Sequence, residues 1–222
     1  MRYDWGMSDP RTDLPAPGVL LDLDGTLVDS VYQHVVAWFE ALREANYVVP
    51  QARIHAGIGM GGDRLVPWLL GGHVDDADAL ADAHKRRFLE RVDGLRATTG
   101  ARALLDDLQR REVAFVVATS AGSEERQALL GVLGRDDLPV TDSDGVDRSK
   151  PAPDLLEVSC RRHGFEPARS VMVGDAPWDA LAAGVIGMGA VAVRCGGFAE
   201  ATLLRAGARR VVDDPAGLIG QL

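Results

Sequence analysis

Between Gly18 and Asp214 the chain repeats one pattern. A short, almost unbroken apolar run ends in polar residues, and a helical stretch follows. The runs are GVLLDLD (18–24), VAFVVATS (113–120), SVMVGDA (170–176), GAVAVRC (189–195) and the shorter RRVVDD (209–214). A strand buried on both faces reads this way, because neither face tolerates polar side chains. The stretches between carry apolar residues at helical spacing: ARALLDDLQRR (101–111), EERQALLGVLG (124–134), PDLLEVSCRRHG (153–164) and WDALAAG (178–184). Glycine closes the second of these, and proline and glycine bracket the third, as helix ends prefer. Alternating strand and helix specifies an α/β fold with a parallel sheet covered on both faces.

One region breaks the alternation. From residue 30 to residue 96 the pattern is helical, with no convincing strand. SVYQHVVAWFEALREA (30–45) is amphipathic, with Ser30 the expected N-cap, and DDADALADAHKRRFLERV (75–92) is strongly helical. This predicts a small helical bundle inserted directly after the first strand and seated over the sheet edge. The 222 residues, 46% of them hydrophobic, suit one core with such an insert. The expected division is a loose N-terminal tail over 1–16, an α/β core over 17–29 and 97–222, and a helical unit over 30–96.

A formal net charge of -9 argues against nucleic acid as a partner, since that needs a basic surface. It leaves room for a small anionic substrate, because a few local cations or a bound metal reverse the field inside a site. Cys160 and Cys195 form neither a metal pair nor a disulfide framework, and free thiols suit a reducing cytoplasm. No secretory pattern is read at the start. No apolar run approaches the ~20 residues that span a membrane.

In a parallel sheet, ligands bind where polar residues gather at the carboxyl ends of strands. Here the first run delivers Asp22 and Asp24, the second Thr119 and Ser120, and the third Asp175, with Asp179 a helical turn later. The loop DRSKPAPD adds Lys150. Turn capping and a surface ion pair account for any one of these residues, but poorly for all of them in this order. Carboxylates so gathered repel one another in apolar surroundings. A hard divalent cation resolves this, and Mg²⁺ takes few carboxylates while keeping several waters. A metal and an ammonium to hold phosphoryl oxygens, with a carboxylate placed to attack in line, are the parts of phosphoryl transfer. The second aspartate is placed to protonate a leaving oxygen and later to activate a water.

DLDGT, then a hydrophobic strand ending in ATS, then SKPAPD, then GDAPWDALAAGVIGM together resemble the haloacid dehalogenase superfamily of phosphatases and phosphomutases. The resemblance runs from about Gly18 to Val212, and the insert stands where many members carry a helical cap. It implies a doubly wound, mainly parallel Rossmann-like sheet with a small all-helical cap domain. It implies that Asp22 is the nucleophile, forming an aspartyl-phosphate, and that Asp24 is the general acid/base. Mg²⁺ would be held by Asp22, Asp175 and the backbone carbonyl of Asp24, with Asp179 supporting the metal site or Lys150. Gly25, Thr26, Thr119, Ser120 and Lys150 would surround the phosphoryl group. The dehalogenases lack the second carboxylate of the first motif, so Asp24 sets that reaction aside. Trp178 is a bulky residue beside the metal motif, read as a wedge between loop and core.

A mobile lid excludes water and recognises the leaving group. RIHAGIGMGGDRLVPWLLGG (53–72) places glycines at 59, 61 and 62, where backbone can approach a ligand. Arg53, His55 and Arg64 are its candidate substrate contacts, against the plainer reading of solvated helix-end charges. HKRRFLE (84–90) reads as the wet face of a helix. His34 lies where sugar-phosphate members such as beta-phosphoglucomutase resemble this chain and carry a histidine. It either touches substrate, relays closure to Asp24, or is simply satisfied. Thr26 favours hydrolysis over mutase chemistry. The expected partner is a small phosphorylated metabolite, with the protein a monomer or homodimer. The alternatives are a sugar phosphomutase using the same intermediate, and a non-catalytic binding protein on the same scaffold.

Overall fold

A computed structural model describes residues 17–142 and 148–222; the tail expected over 1–16 lies outside them. Six parallel strands form one sheet in the order β3-β2-β1-β4-β5-β6. They are β1 (Val19–Leu21), β2 (Phe115–Ala118), β3 (Val140–Thr141), β4 (Val171–Gly174), β5 (Gly189–Val193) and β6 (Arg210–Val212). The central strand pairs on both sides: Leu20 lies opposite Val116 of β2 and Met172 of β4. The chain winds outward through β2 and β3, returns, and winds the other way through β4, β5 and β6. The order therefore reverses at β1, where such sheets open a crevice beyond the strand ends.

The apolar runs explain themselves at this level. Successive strand side chains point to opposite faces. Val19, Leu21, Phe115, Val117 and Val173 enter one core with α5 (Ala101–Arg110) and α6 (Ser123–Leu133). Leu20, Val116, Ala118 and Met172 enter the other, with α7 (Asp154–His163), α8 (Pro177–Val185) and α9 (Glu200–Arg205). Both faces of the central strands β1 and β2 are covered, so their positions had to be apolar. Two elements escaped the sequence reading. β3 is two residues long, and α9 follows a glycine pair with only six.

The insert folds as α1 (Val31–Glu44), α2 (Gln51–Gly57), α3 (Gly62–Leu70) and α4 (Ala77–Leu89). Val31, Val35, Trp38 and Leu42 stripe one face of α1 and pack with Ile54, Leu65, Leu69 and Leu80 in a core of their own. On the wet side Arg91 reaches Glu40 at 2.7 Å, and Arg87 pairs with Glu40 and Glu44. The glycine-containing stretch folds as α2 and α3, joined by a short loop that holds Gly59 and Gly61. Only residues 58–61 remain as loop. Ser30 precedes α1 but does not cap it. Its hydroxyl donates to Asp24 Oδ1 at 2.6 Å instead and accepts the Gly25 N–H at 3.2 Å. No helix among the described residues is long and apolar enough to cross a membrane.

Candidate active site

The first carboxylate is placed by backbone. Asp22 leaves β1 still bonded, its N–H donating to the Val173 carbonyl at 2.9 Å. The chain then doubles back: the N–H groups of Leu27 and Val28 both reach the Leu23 carbonyl at 3.0 Å, and Gly25 N–H reaches Val28 at 2.8 Å. That turn sets Asp24 beside Asp22, over the end of the sheet. Thr119 follows β2, Asp175 follows β4, and Asp179 sits in the first turn of α8.

Lys150 closes the floor. Its ammonium donates to Asp22 Oδ1 at 2.6 Å and pairs with Asp179 Oδ1 at 2.7 Å, at 2% exposure. The other Asp179 oxygen accepts the Ala176 N–H at 3.1 Å. Thr26 Oγ1 donates to Asp175 Oδ1 at 3.0 Å. Asp22, Asp175 and Asp179 each bring a carboxylate oxygen within 4.8 Å of the other two, all buried.

One ammonium does not balance three buried carboxylates. Burial pushes Asp22 up to about 7; Lys150 pulls it down and Asp179 pushes it up again. Asp175 is driven well above the carboxylate range by burial, then by Asp22 and Asp179. For Lys150 burial opposes the charge, but Asp179 and Asp22 together raise its proton affinity. The cluster therefore lacks positive charge, and its donors are hard oxygens. A small divalent cation fits that chemistry.

Asp24 stands in a different setting. Ser30 and His34 both address its Oδ1, at 2.6 and 2.8 Å. Burial pushes its pKa up, but the His34 charge and these hydrogen bonds outweigh that and hold it below the usual range. His34 responds in kind: burial opposes its charge, yet Asp24 raises its pKa. The other His34 nitrogen, Nδ1, lies 2.9 Å from His84 Nε2.

These groups face a cavity of about 240 Å³ between the sheet end and the helical insert. Asp22, Asp24, His34, Thr119, Ser120 and Lys150 line it. Thr119 Oγ1 accepts the Ala121 N–H at 3.0 Å, which leaves its hydroxyl hydrogen to donate into the cavity. Gly25 and Thr26, expected around a phosphoryl group, lie behind it: Gly25 packs against Asp175 and Val31, and Thr26 is fully buried on Asp175.

Of the insert's expected contacts, His34 lines the cavity, and Arg53, His55 and Arg64 do not. Arg53 donates to the Trp68 carbonyl at 2.9 Å and lies over the Trp68 ring. His55 Nε2 meets the Gly196 carbonyl at 2.8 Å, its ring stacked on Tyr32 and Phe198. Arg64 lies 3.9 Å from Asp63 and borders a separate groove with Trp68 and Trp178. The glycines instead let the insert's loop touch the core. A side chain on Gly59 would meet Ala176 Cβ at 2.7 Å and Trp178 Cδ1 at 3.1 Å, and one on Gly61 would collide with Ser149, beside Lys150.

Sequence reasoning missed His84 and Glu125, both of which line the cavity. His84 is buried between Leu80 and Phe88 on one stripe of α4, and Phe88 stacks on His34 with ring centroids 3.8 Å apart. The spacing of Leu80, His84 and Phe88 was the available signal. The adjacent basic residues masked it.

The sequence pattern of the haloacid dehalogenase-like hydrolase family matches residues 17–187. A phosphoglycolate phosphatase of Rhodospirillum rubrum is 32% identical over 213 residues, covering 90% of this chain and 88% of that protein. A fructose-1-phosphate phosphatase of Escherichia coli is 31% identical, covering 80% of this chain and 96% of that protein. The crystal structure of a hydrolase from Pseudomonas syringae superposes with a TM-score of 0.88 at 35% identity, covering 91% of this chain and 96% of the other.

Proposed function

The chain belongs to the haloacid dehalogenase-like hydrolases and is an enzyme of the phosphatase kind; from that premise we propose that it hydrolyses a small phosphate monoester through an aspartyl-phosphate on Asp22. The observation that carries this reading is the Lys150 ammonium, 2.6 Å from Asp22 Oδ1 at the base of a small cavity. Lys150 is placed to neutralise phosphoryl oxygens, and the Thr119 hydroxyl to donate to one of them. Asp22 attacks phosphorus, and the bond from phosphorus to the ester oxygen breaks. Asp24 gives that oxygen a proton. It then takes a proton from a water, which attacks phosphorus, releases inorganic phosphate and restores Asp22. Ser30 and His34 both occupy Asp24 Oδ1, which leaves Oδ2 for the reacting oxygen.

Asp22, Asp175 and the Asp24 carbonyl are the proposed Mg²⁺ ligands, and Mg²⁺ supplies charge neutralisation at the phosphoryl oxygens when bound. Asp179, tied to Lys150 and Ala176, holds the cluster from behind.

The cavity of about 240 Å³ is smaller than the roughly 300–1,000 Å³ of pockets for drug-sized ligands. That favours a metabolite such as phosphoglycolate or a sugar phosphate over a phosphoprotein, in keeping with the names of the relatives. The free thiols of Cys160 and Cys195 accord with a reducing cytoplasm.

The test is phosphate release from a panel of small esters, with Mg²⁺ and with chelator, beside Asp22→Asn. Release that needs Mg²⁺ and disappears in the variant is expected. A folded, Mg²⁺-binding protein that releases phosphate from no ester overturns hydrolysis. Isomerisation of a hexose 1-phosphate with a bisphosphate primer would then assign phosphoryl transfer between sugar hydroxyls.

A further inference from the structure

One group of side chains on the cavity wall has no part in that scheme beyond its contact with Asp24. His34 of α1, His84 of α4 and Glu125 of α6 bring two ring nitrogens and a carboxylate oxygen within 4.8 Å of one another. We propose that this triad binds a divalent transition-metal ion of the Zn²⁺ class, distinct from the hard-cation cluster of Asp22 and Asp175, and that the ion staples the helical insert to the α/β core.

The donor set is the first argument. Two imidazoles and one carboxylate suit Zn²⁺, Co²⁺ or Ni²⁺, whereas Mg²⁺ favours oxygen alone. Orientation is the second. His34 Nε2 is engaged by Asp24 Oδ1 at 2.8 Å. A metal-bound histidine characteristically gives its second nitrogen to a carboxylate in this way. The other His34 nitrogen, Nδ1, lies 2.9 Å from His84 Nε2, so both rings turn a nitrogen toward one point. Two nitrogens each ~2.0–2.1 Å from a tetrahedral ion stand about 3.3 Å apart. The rings need to separate by only a few tenths of an ångström.

The rings are also held in place. His34 stacks on Phe88 at 3.8 Å between centroids and His84 on Trp38 at 4.3 Å. Burial pushes the His84 pKa well down, with His34 adding to it. Glu125 Oε1 lies 3.9 Å from His84 Nδ1, the ring nitrogen other than the one facing His34. The three ligands come from two helices of the insert and one of the core. An ion between them holds the two units together over Asp24 and slows opening. Metal binding stands apart from the phosphatase reading; only the slowing of turnover rests on it.

The experiment is calorimetric titration of Zn²⁺ into the full-length protein in excess Mg²⁺, with Co²⁺ absorption as a spectroscopic check. One Zn²⁺ per chain is expected. Affinity should fall at least about tenfold in His84→Ala and in the less buried Glu125→Gln. Asp175→Asn, which damages the acid cluster, should keep the Zn²⁺ site and its Co²⁺ spectrum. Thermal unfolding confirms that each variant is folded. Zn²⁺ binding that survives both triad variants and is lost in Asp175→Asn assigns the ion to the acid cluster and overturns the proposal. Absence of Zn²⁺ binding overturns it equally.

Discussion

On the core side of the cavity, Asp22 shares one ammonium with Asp179 and lies within 4.8 Å of Asp175; on the insert side, Asp24 has Ser30 and His34 on a single oxygen. The two aspartates are two residues apart and both belong to the turn after β1. Burial pushes both pKa values up. It prevails at Asp22, where carboxylates outnumber cations, and loses at Asp24, where donors are in surplus. The same residue type thus meets opposite fields two residues apart, set by the count of partners around it.

The sharpest way to break this comparison is to remove the charge that has too few partners. Asp22→Asn should lower kcat for phosphate release by more than about 10³-fold, since no other group replaces a covalent nucleophile. Single-turnover assays with the best ester check this. Retained turnover would move the nucleophile elsewhere. Asp24→Asn attacks the other side. It should lower kcat by about 10²–10⁴-fold, the range for a lost general acid or base. Esters with good leaving groups should be affected least, because they need no proton.

The third variant tests whether the two sides must meet. Gly61→Val forces the insert's loop off Ser149, next to Lys150. A displacement near 1 Å costs up to about 10²-fold, so kcat/KM should fall roughly 10- to 100-fold, with the melting temperature little changed. An unchanged kcat/KM would show that the loop does not ride on the core during turnover.

The smallest effect sharpens the comparison from outside the cavity. Asp107 is buried like Asp22 but well served: the Gly220 N–H at 2.8 Å and Arg111 at 3.0 Å hold its carboxyl below the usual range. A depressed pKa stabilises the fold above the ordinary carboxylate pKa of ~3.9 and loses that contribution as pH falls through the folded value. Asp107→Asn should therefore lower the melting temperature slightly at neutral pH, with the gap closing in acid. A gap independent of pH would assign the contact to packing instead.

The sheet was legible because its strands are buried on both faces, which leaves period and polarity no freedom. The convergence of Asp22, Asp24, Thr119 and Asp175 was legible because strand ends in a parallel sheet collect in one crevice, which Lys150 joins from a loop. What failed to read is instructive. β3 pairs through two residues, too few to show a period. Gly59 and Gly61 lie in a loop, as expected, but their close approach to Ala176 and Ser149 is something local sequence does not reveal. Ser30 looked like a cap, but Asp24 and Gly25 compete for the same hydroxyl and hold it.

By itself the sequence determined the layered fold, the site of the insert and the order of the core motifs, because each rests on local period and on residues fixed to strand ends. Only the tertiary structure decided which polar side chains of the insert look inward. Packing the apolar stripes of α1 and α4 together sets the rotation of both helices. That rotation brings His84 to His34 across 50 residues of chain, while Arg53 on α2 and Arg64 on α3 lie elsewhere. Rotation about a helix axis is settled by the partner helix, and no residue within one helix records it.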